Sequence, residues 1–108
     1  MGQYIVVWRS RARKQYIEHL AYFQMEFGSK AFFRWVDSVH KMEEVLRNNP
    51  RQYGLVPLLQ NRAHEYRGCN VMKNFKIIYA FDERKKVVNI VSIWDMRMNP
   101  ERLKRSIR

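Results

Sequence analysis

From residue 74 to residue 81 the chain alternates, with Phe75, Ile77, Tyr79 and Phe81 on one side and Lys76, Ile78 and Ala80 on the other. A period of two in β-branched and aromatic residues predicts a strand. Residues 82–86 form a charged turn, and residues 87–94 (VVNIVSIW) are almost wholly apolar. Such a run predicts a strand covered on both faces, hence central in its sheet. Together the two segments predict a hairpin. Asn99-Pro100 breaks the chain just beyond it.

The first half carries a different rhythm. Residues 4–8 (YIVVW) form a short β-branched run and predict a strand beside the hairpin. Ser10 is the expected N-cap of a helix. Tyr16, Leu20, Phe23 and Phe27, with Ile17 and Ala21 alongside, fall at helical spacing and predict one apolar face over 11–27. Gly28 supplies the stop. Ser29 opens the next helix, over 30–47, which carries Phe32, Trp35, Val36, Val39, Met42 and Leu46. Asn48-Asn49-Pro50 ends it. Residues 51–61 read as a loop anchored by Leu58 and Leu59, residues 63–68 as a further strand, and residues 101–108 as a weakly helical basic tail.

The order β-α-α-β-β-β predicts a single α+β domain over residues 1–108. In it a two-helix hairpin packs on one face of a small, mostly antiparallel four-stranded sheet. The expected core is Trp35, Val36, Val39, Phe75, Ile77, Tyr79 and Val91. A slip of one residue in the strand register would turn Lys76 inward and Phe75 out.

Charge changes the picture most. Lys and Arg number 21 against 10 acidic residues, a formal charge of +11 and a pI near 10.2. Attraction to a polyanion follows, either a nucleic acid or an acidic protein. A solvated basic surface is the plainer reading of the same residues. The apolar fraction of 46% argues for a packed core and against disorder. The single cysteine, Cys69, leaves no internal disulfide and fits a reducing, cytoplasmic setting. No signal peptide or membrane span is expected.

Chemistry is sparse. His19, His40 and His64 are scattered without metal-ligand spacing, so neither a metal nor another cofactor is expected. Cys69 lies in an expected turn with no evident histidine partner, which reads as an inert thiol. Gly2, Gly28, Gly54 and Gly68 are isolated, so no phosphate loop is present. What remains is basic: Arg62, Arg67, Lys73, Lys76 and Arg97. With Phe75 and Ile77 under the helices, Lys76 emerges on the open face of the sheet. Arg67 stands near it on the next strand, and Arg97 reaches the same end. Such a face binds phosphate or an acidic group; simple solubility explains it equally well. Tyr66 and Trp94 interleave with these charges, as base-stacking surfaces or as packing, and Tyr79 belongs to the core set.

Taken together, NFKIIY, a short charged turn and IVSIWDMRMNPERL resemble the RelE/ParE superfamily of toxins from bacterial type II toxin–antitoxin modules. The opening VVWRSRARKQYIEHLAYFQMEFG is similar to that family's first strand and helix, and AFFRWVDSVHKMEEVLRNNP to its second helix. The resemblance implies a plasmid-stabilisation type of toxin that arrests growth and is neutralised by a cognate acidic antitoxin in a hetero-oligomer. It implies one of two targets, DNA gyrase for ParE-like members or mRNA on the ribosome for RelE-like endoribonucleases. Lys76 falls where RelE-like members usually carry a catalytic arginine, and Arg97 where a basic residue follows the last strand. Two departures matter. Asp95-Met96-Arg97-Met98 stands in place of a His-x-Arg-Arg motif, and no tyrosine follows Pro100. The nuclease's usual acid–base group is therefore unaccounted for, with His64 or Glu65 as substitutes. The Arg-x-x-Pro ending favours the ParE-like side. A non-toxic basic nucleic-acid-binding domain is the alternative from another class.

Overall fold

A computed structural model describes residues 3–107. Strand β1 (Ile5–Trp8) leads into helices α1 (Ser10–Phe27) and α2 (Ser29–Asn48). A 3-10 turn (Pro57–Leu59) follows, then strands β2 (Arg67–Val71), β3 (Phe75–Asp82) and β4 (Val87–Asp95), and a last helix α3 (Pro100–Ser106). The sheet order is β1-β4-β3-β2, with β1 parallel to β4 and the other pairs antiparallel. This is the expected α+β arrangement, with the 75–95 hairpin at its centre.

The register follows the alternation. Phe75, Ile77 and Tyr79 face the helices and join Trp35, Val39, Met42, Leu46, Val88 and Ile90 in the main core. Trp35 is fully buried, ringed by Tyr16, His19, Phe23 and Phe75 at centroid distances of 5.3–5.9 Å. Gly28 joins the two helices at φ 84°, where any Cβ is strained. Its N–H caps α1 on the Gln24 carbonyl at 3.1 Å.

Several expectations shift. Ser10 is the first helical residue, and Arg9 takes the cap position without a side-chain bond. On α1 the inward face is Ala12, Tyr16 and Phe23, whereas Ile17 and Phe27 are exposed. Strand β2 begins at Arg67, four residues later than the composition of 63–68 suggests. Cys69 consequently lies in mid-strand and is buried; the turn is at 72–74. Val36 is half-buried. In β4 the partner of Ile78 is Ser92 and that of Tyr79 is Ile90, so Val91 is an extra residue. This bulge places Val91 on the far face, outside the main core.

The far face is not open. Ile78 packs there with Val56, Leu59, Tyr66, Leu103 and Ile107 in a second core, flanked by Ala80, Val91 and Trp94. The basic tail supplies two of these anchors, Leu103 and Ile107, one helical turn apart. Asn99 caps α3 by accepting the Glu101 N–H at 3.0 Å, and Pro100 fits its first turn. Arg62 donates to the Lys104 and Ile107 carbonyls, at 3.0 and 3.1 Å, and Arg11 to that of Ser106 at 2.7 Å. Two guanidinium groups thus satisfy the orphan carbonyls at the end of α3.

Candidate functional site

Lys76 points away from the two-helix hairpin, between Asn70 of β2 and Trp94 of β4. Its stem is half-buried and runs over Gly68. A Cβ at Gly68 would stand 2.6 Å from the Lys76 Cδ, which ties the glycine to the lysine. Among the described residues the ammonium has neither a hydrogen bond nor an ion pair. It is a half-shielded cation at the rim of the second core.

The other basic candidates do not gather round it. Arg67 pairs with Tyr79 and shares the helix-facing side with Cys69 and Val71. The strand period, counted from the buried Cys69, sends it there. Half-buried, it donates to the Tyr53 carbonyl at 2.7 Å, and its Nε is buried without a partner. Its role is internal. Arg62 is committed to α3. Lys73 is exposed in the β2–β3 turn. His64 and Glu65 are exposed in the preceding loop, with His64 edge-on to buried Tyr66 at 6.2 Å. The concave basic face expected from the sequence is therefore not assembled as drawn.

Arg97 anchors a second feature, on the helix side at the end of the sheet. It grips Asp95 through Nε and Nη2, at 2.9 and 2.8 Å, and lies over the Phe75 ring at 5.7 Å. The clamp holds the Asp95 carboxyl below the usual carboxylate range, and Asp95 raises Arg97 in return. Asp95 also accepts the Arg97 N–H at 3.0 Å. Beside this pair sits His19, its ring 4.7 Å from that of Phe75. Burial holds its pKa below the ordinary imidazole value, against the pull of Asp95 and Glu18. His19 lines a cleft of about 360 Å³ between α1, the end of β4 and α3, together with Arg11, Asp95 and Arg102. Sequence reasoning passed over His19, although it falls three residues after Tyr16 and four before Phe23, on the inner face.

The remaining candidates are structural. Burial pushes the Cys69 thiol up, away from the reactive thiolate form. The Tyr79 hydroxyl, pushed up to about 12 by burial, donates to the Pro50 carbonyl at 2.6 Å. Among the described residues no three His, Cys, Asp or Glu side chains converge, and no helix is long and apolar enough to cross a membrane.

As a sequence, the chain matches no protein-family model and no curated protein. Its fold is shared with solved structures. The chromosomal ParDE TA system from P. aeruginosa superposes with a TM-score of 0.64 at 13% identity, over 84% of this chain and 94% of that one. A YoeB dimer from Staphylococcus aureus gives 0.58 at 15% identity, over 83% and 93%. An archaeal RelE–RelB complex from Pyrococcus horikoshii gives 0.58 at 12% identity, over 90% and 99%. The chain shares the fold of these three structures over 83–90% of its length.

Proposed function

We propose that this protein is the toxin of a type II toxin–antitoxin module, held inactive in the cytoplasm by an acidic antitoxin, and that its target is DNA gyrase. The observation that carries the toxin reading is the shared fold, which spans 93–99% of three chains from ParDE, YoeB and RelE–RelB structures. The formal charge of +11 supports an acidic partner.

The choice of gyrase rests on the C-terminal segment. A ribonuclease of this fold needs a proton acceptor for the attacking 2′-hydroxyl and a donor for the leaving oxygen. Here Arg97 is engaged by Asp95, and the residues after Pro100 form a helix fastened to the sheet by Leu103 and Ile107. That segment serves as structure, with no tyrosine to move a proton. Lys76 favours the second reading, a ribosome-dependent mRNA endonuclease, because its free ammonium suits a phosphate.

Purified protein decides between them. Added to gyrase with supercoiled plasmid, it should trap cleaved DNA, and added to a translating extract it should leave mRNA intact. Cleaved message with undisturbed gyrase would reverse the assignment.

A further inference from the structure

The cover of the far sheet face stops short of the β3–β4 turn. Leu59, Leu103 and Ile107 pack over Ile78. Beyond them the register lays Val7, Asn89 and Ala80 side by side across β1, β4 and β3. Each stands between neighbours that belong to the main core or pack against it, so each points to the far face. Tyr66 extends the row, because Arg67 after it pairs with Tyr79. Ala80 is small, and its short side chain leaves a gap between Tyr66 and Asn89.

A cavity of about 610 Å³ opens over that gap, lined by Arg9, His64, Tyr66, Ala80, Asn89 and Val91, with Asp82 and Glu83 at the turn end. Its size suits a small molecule. The two carboxylates are already engaged: Asp82 accepts the Arg84 and Lys85 N–H groups at 2.9 and 3.0 Å, and Glu83 pairs with Arg51 at 3.3 Å. Two other polar groups are not. The half-buried Asn89 amide and the exposed Arg9 guanidinium have neither a hydrogen bond nor an ion pair among the described residues. The amide offers a donor and an acceptor side by side in the middle of the sheet. The bulge at Val91 bends β4 beside it.

We infer that this groove is a binding site for an adenine nucleotide, free or within a single strand. The flat ring lodges over Ala80, walled by His64 and Tyr66. The Asn89 amide meets the N6 and N7 edge of adenine with one acceptor and one donor. Arg9 takes the phosphate as a charged, forked donor. Guanine presents two acceptors on the same edge and satisfies only half of the amide. Lys76 lies four residues back along β3, about 13 Å away, so the groove is separate from that cation.

The test titrates the purified protein with adenosine 5′-monophosphate, read by calorimetry and by the NMR signals of the Asn89 side-chain amide. Saturable shifts at Asn89 are expected, with guanosine 5′-monophosphate bound about tenfold more weakly. Arg9→Gln should weaken the monophosphate and leave adenosine, which has no phosphate, unchanged. Arg105→Gln removes the same charge from an exposed position on α3 and should change neither. Ala80→Leu fills the gap and should abolish binding. If it does not fold, Asn89→Leu, of similar volume, should weaken the adenine nucleotide about tenfold and erase its preference over guanine. A tetraadenylate bound more tightly than the monophosphate, and as sensitive to these substitutions, assigns the groove to a strand; one bound no more tightly assigns it to a free nucleotide. The absence of a saturable shift at Asn89 at millimolar nucleotide overturns the inference. So does equal binding of the two purines, undiminished binding by the folded variant, or equal losses in Arg9→Gln and Arg105→Gln. No readout here depends on toxicity, so the groove and the toxin reading fail separately.

Discussion

Lys76 and Gly68 act as one unit. The lysine stem occupies the space that a side chain at position 68 would need. Gly68→Ala should therefore displace the lysine stem and also crowd buried Val56, whose Cγ2 would stand 3.0 Å from the new Cβ, so a modest loss of stability should accompany it. If the place of the Lys76 charge matters, Gly68→Ala and Lys76→Ala should weaken growth arrest alike. A harmless Gly68→Ala beside a disabling Lys76→Ala would separate charge from position. Phe75 is buried against Phe23 and Trp35. Phe75→Ala should cost about 3–5 kcal/mol in urea denaturation.

The Asp95–Arg97 clamp gives a sign at acid pH. The carboxyl is depressed in the folded state by its hydrogen bonds to Arg97. It thus contributes stability that is complete above the ordinary Asp value of about 3.9 and is lost as pH falls through the lower folded value. Arg97→Ala removes that contribution. The gap in urea midpoint between wild type and Arg97→Ala should be present near neutrality and should shrink in acid. A gap constant across that range would show that the clamp is not the source.

At the scale of elements, α3 depends on residues far from it in sequence. Arg62→Ala leaves the Lys104 and Ile107 carbonyls without their charged donor. A charge-assisted bond is worth about 1.5–3 kcal/mol, so the loss should fall in or below that range, since water reaches part of the site. Hydrogen exchange should rise across 100–107 and around Ile78, and stay unchanged in α2. Such coupling was hard to read beforehand. The two helices and the β3–β4 hairpin were legible because many residues repeat their period. The tail shows only Leu103 and Ile107, a single helical turn, too short a period to reveal its docking or the cover it gives the far face. The start of β2 was misplaced because Arg67-Gly68-Cys69-Asn70 has no β-branched residue to mark it. The run 87–94, apolar except at Asn89 and Ser92, concealed the bulge at Val91, since alternation is hard to see where nearly every position is apolar. Arg67 went to the wrong face through that same boundary error. Lys76 was placed correctly because Phe75, Ile77 and Tyr79 set its register.

At the scale of the molecule, the sheet divides two tasks. One face bears the main core and the other is sealed around Ile78 by the 3-10 turn and α3, leaving cations at the rims and at the β1 edge. The charge of +11 has no internal balance. Binding of an acidic partner should accordingly be fast at low salt and slow steeply as the ionic strength passes about 0.1 M. A partner whose association rate ignored salt would contradict an electrostatic role for these residues. The account stands most directly on induced expression in a bacterium, with wild type, Lys76→Ala and Arg97→Ala at matched folded levels and with growth, chromosome integrity and mRNA followed together. It predicts growth arrest with broken DNA and intact message for the wild type, weakened in both variants. Undiminished growth with abundant folded wild-type protein would contradict it.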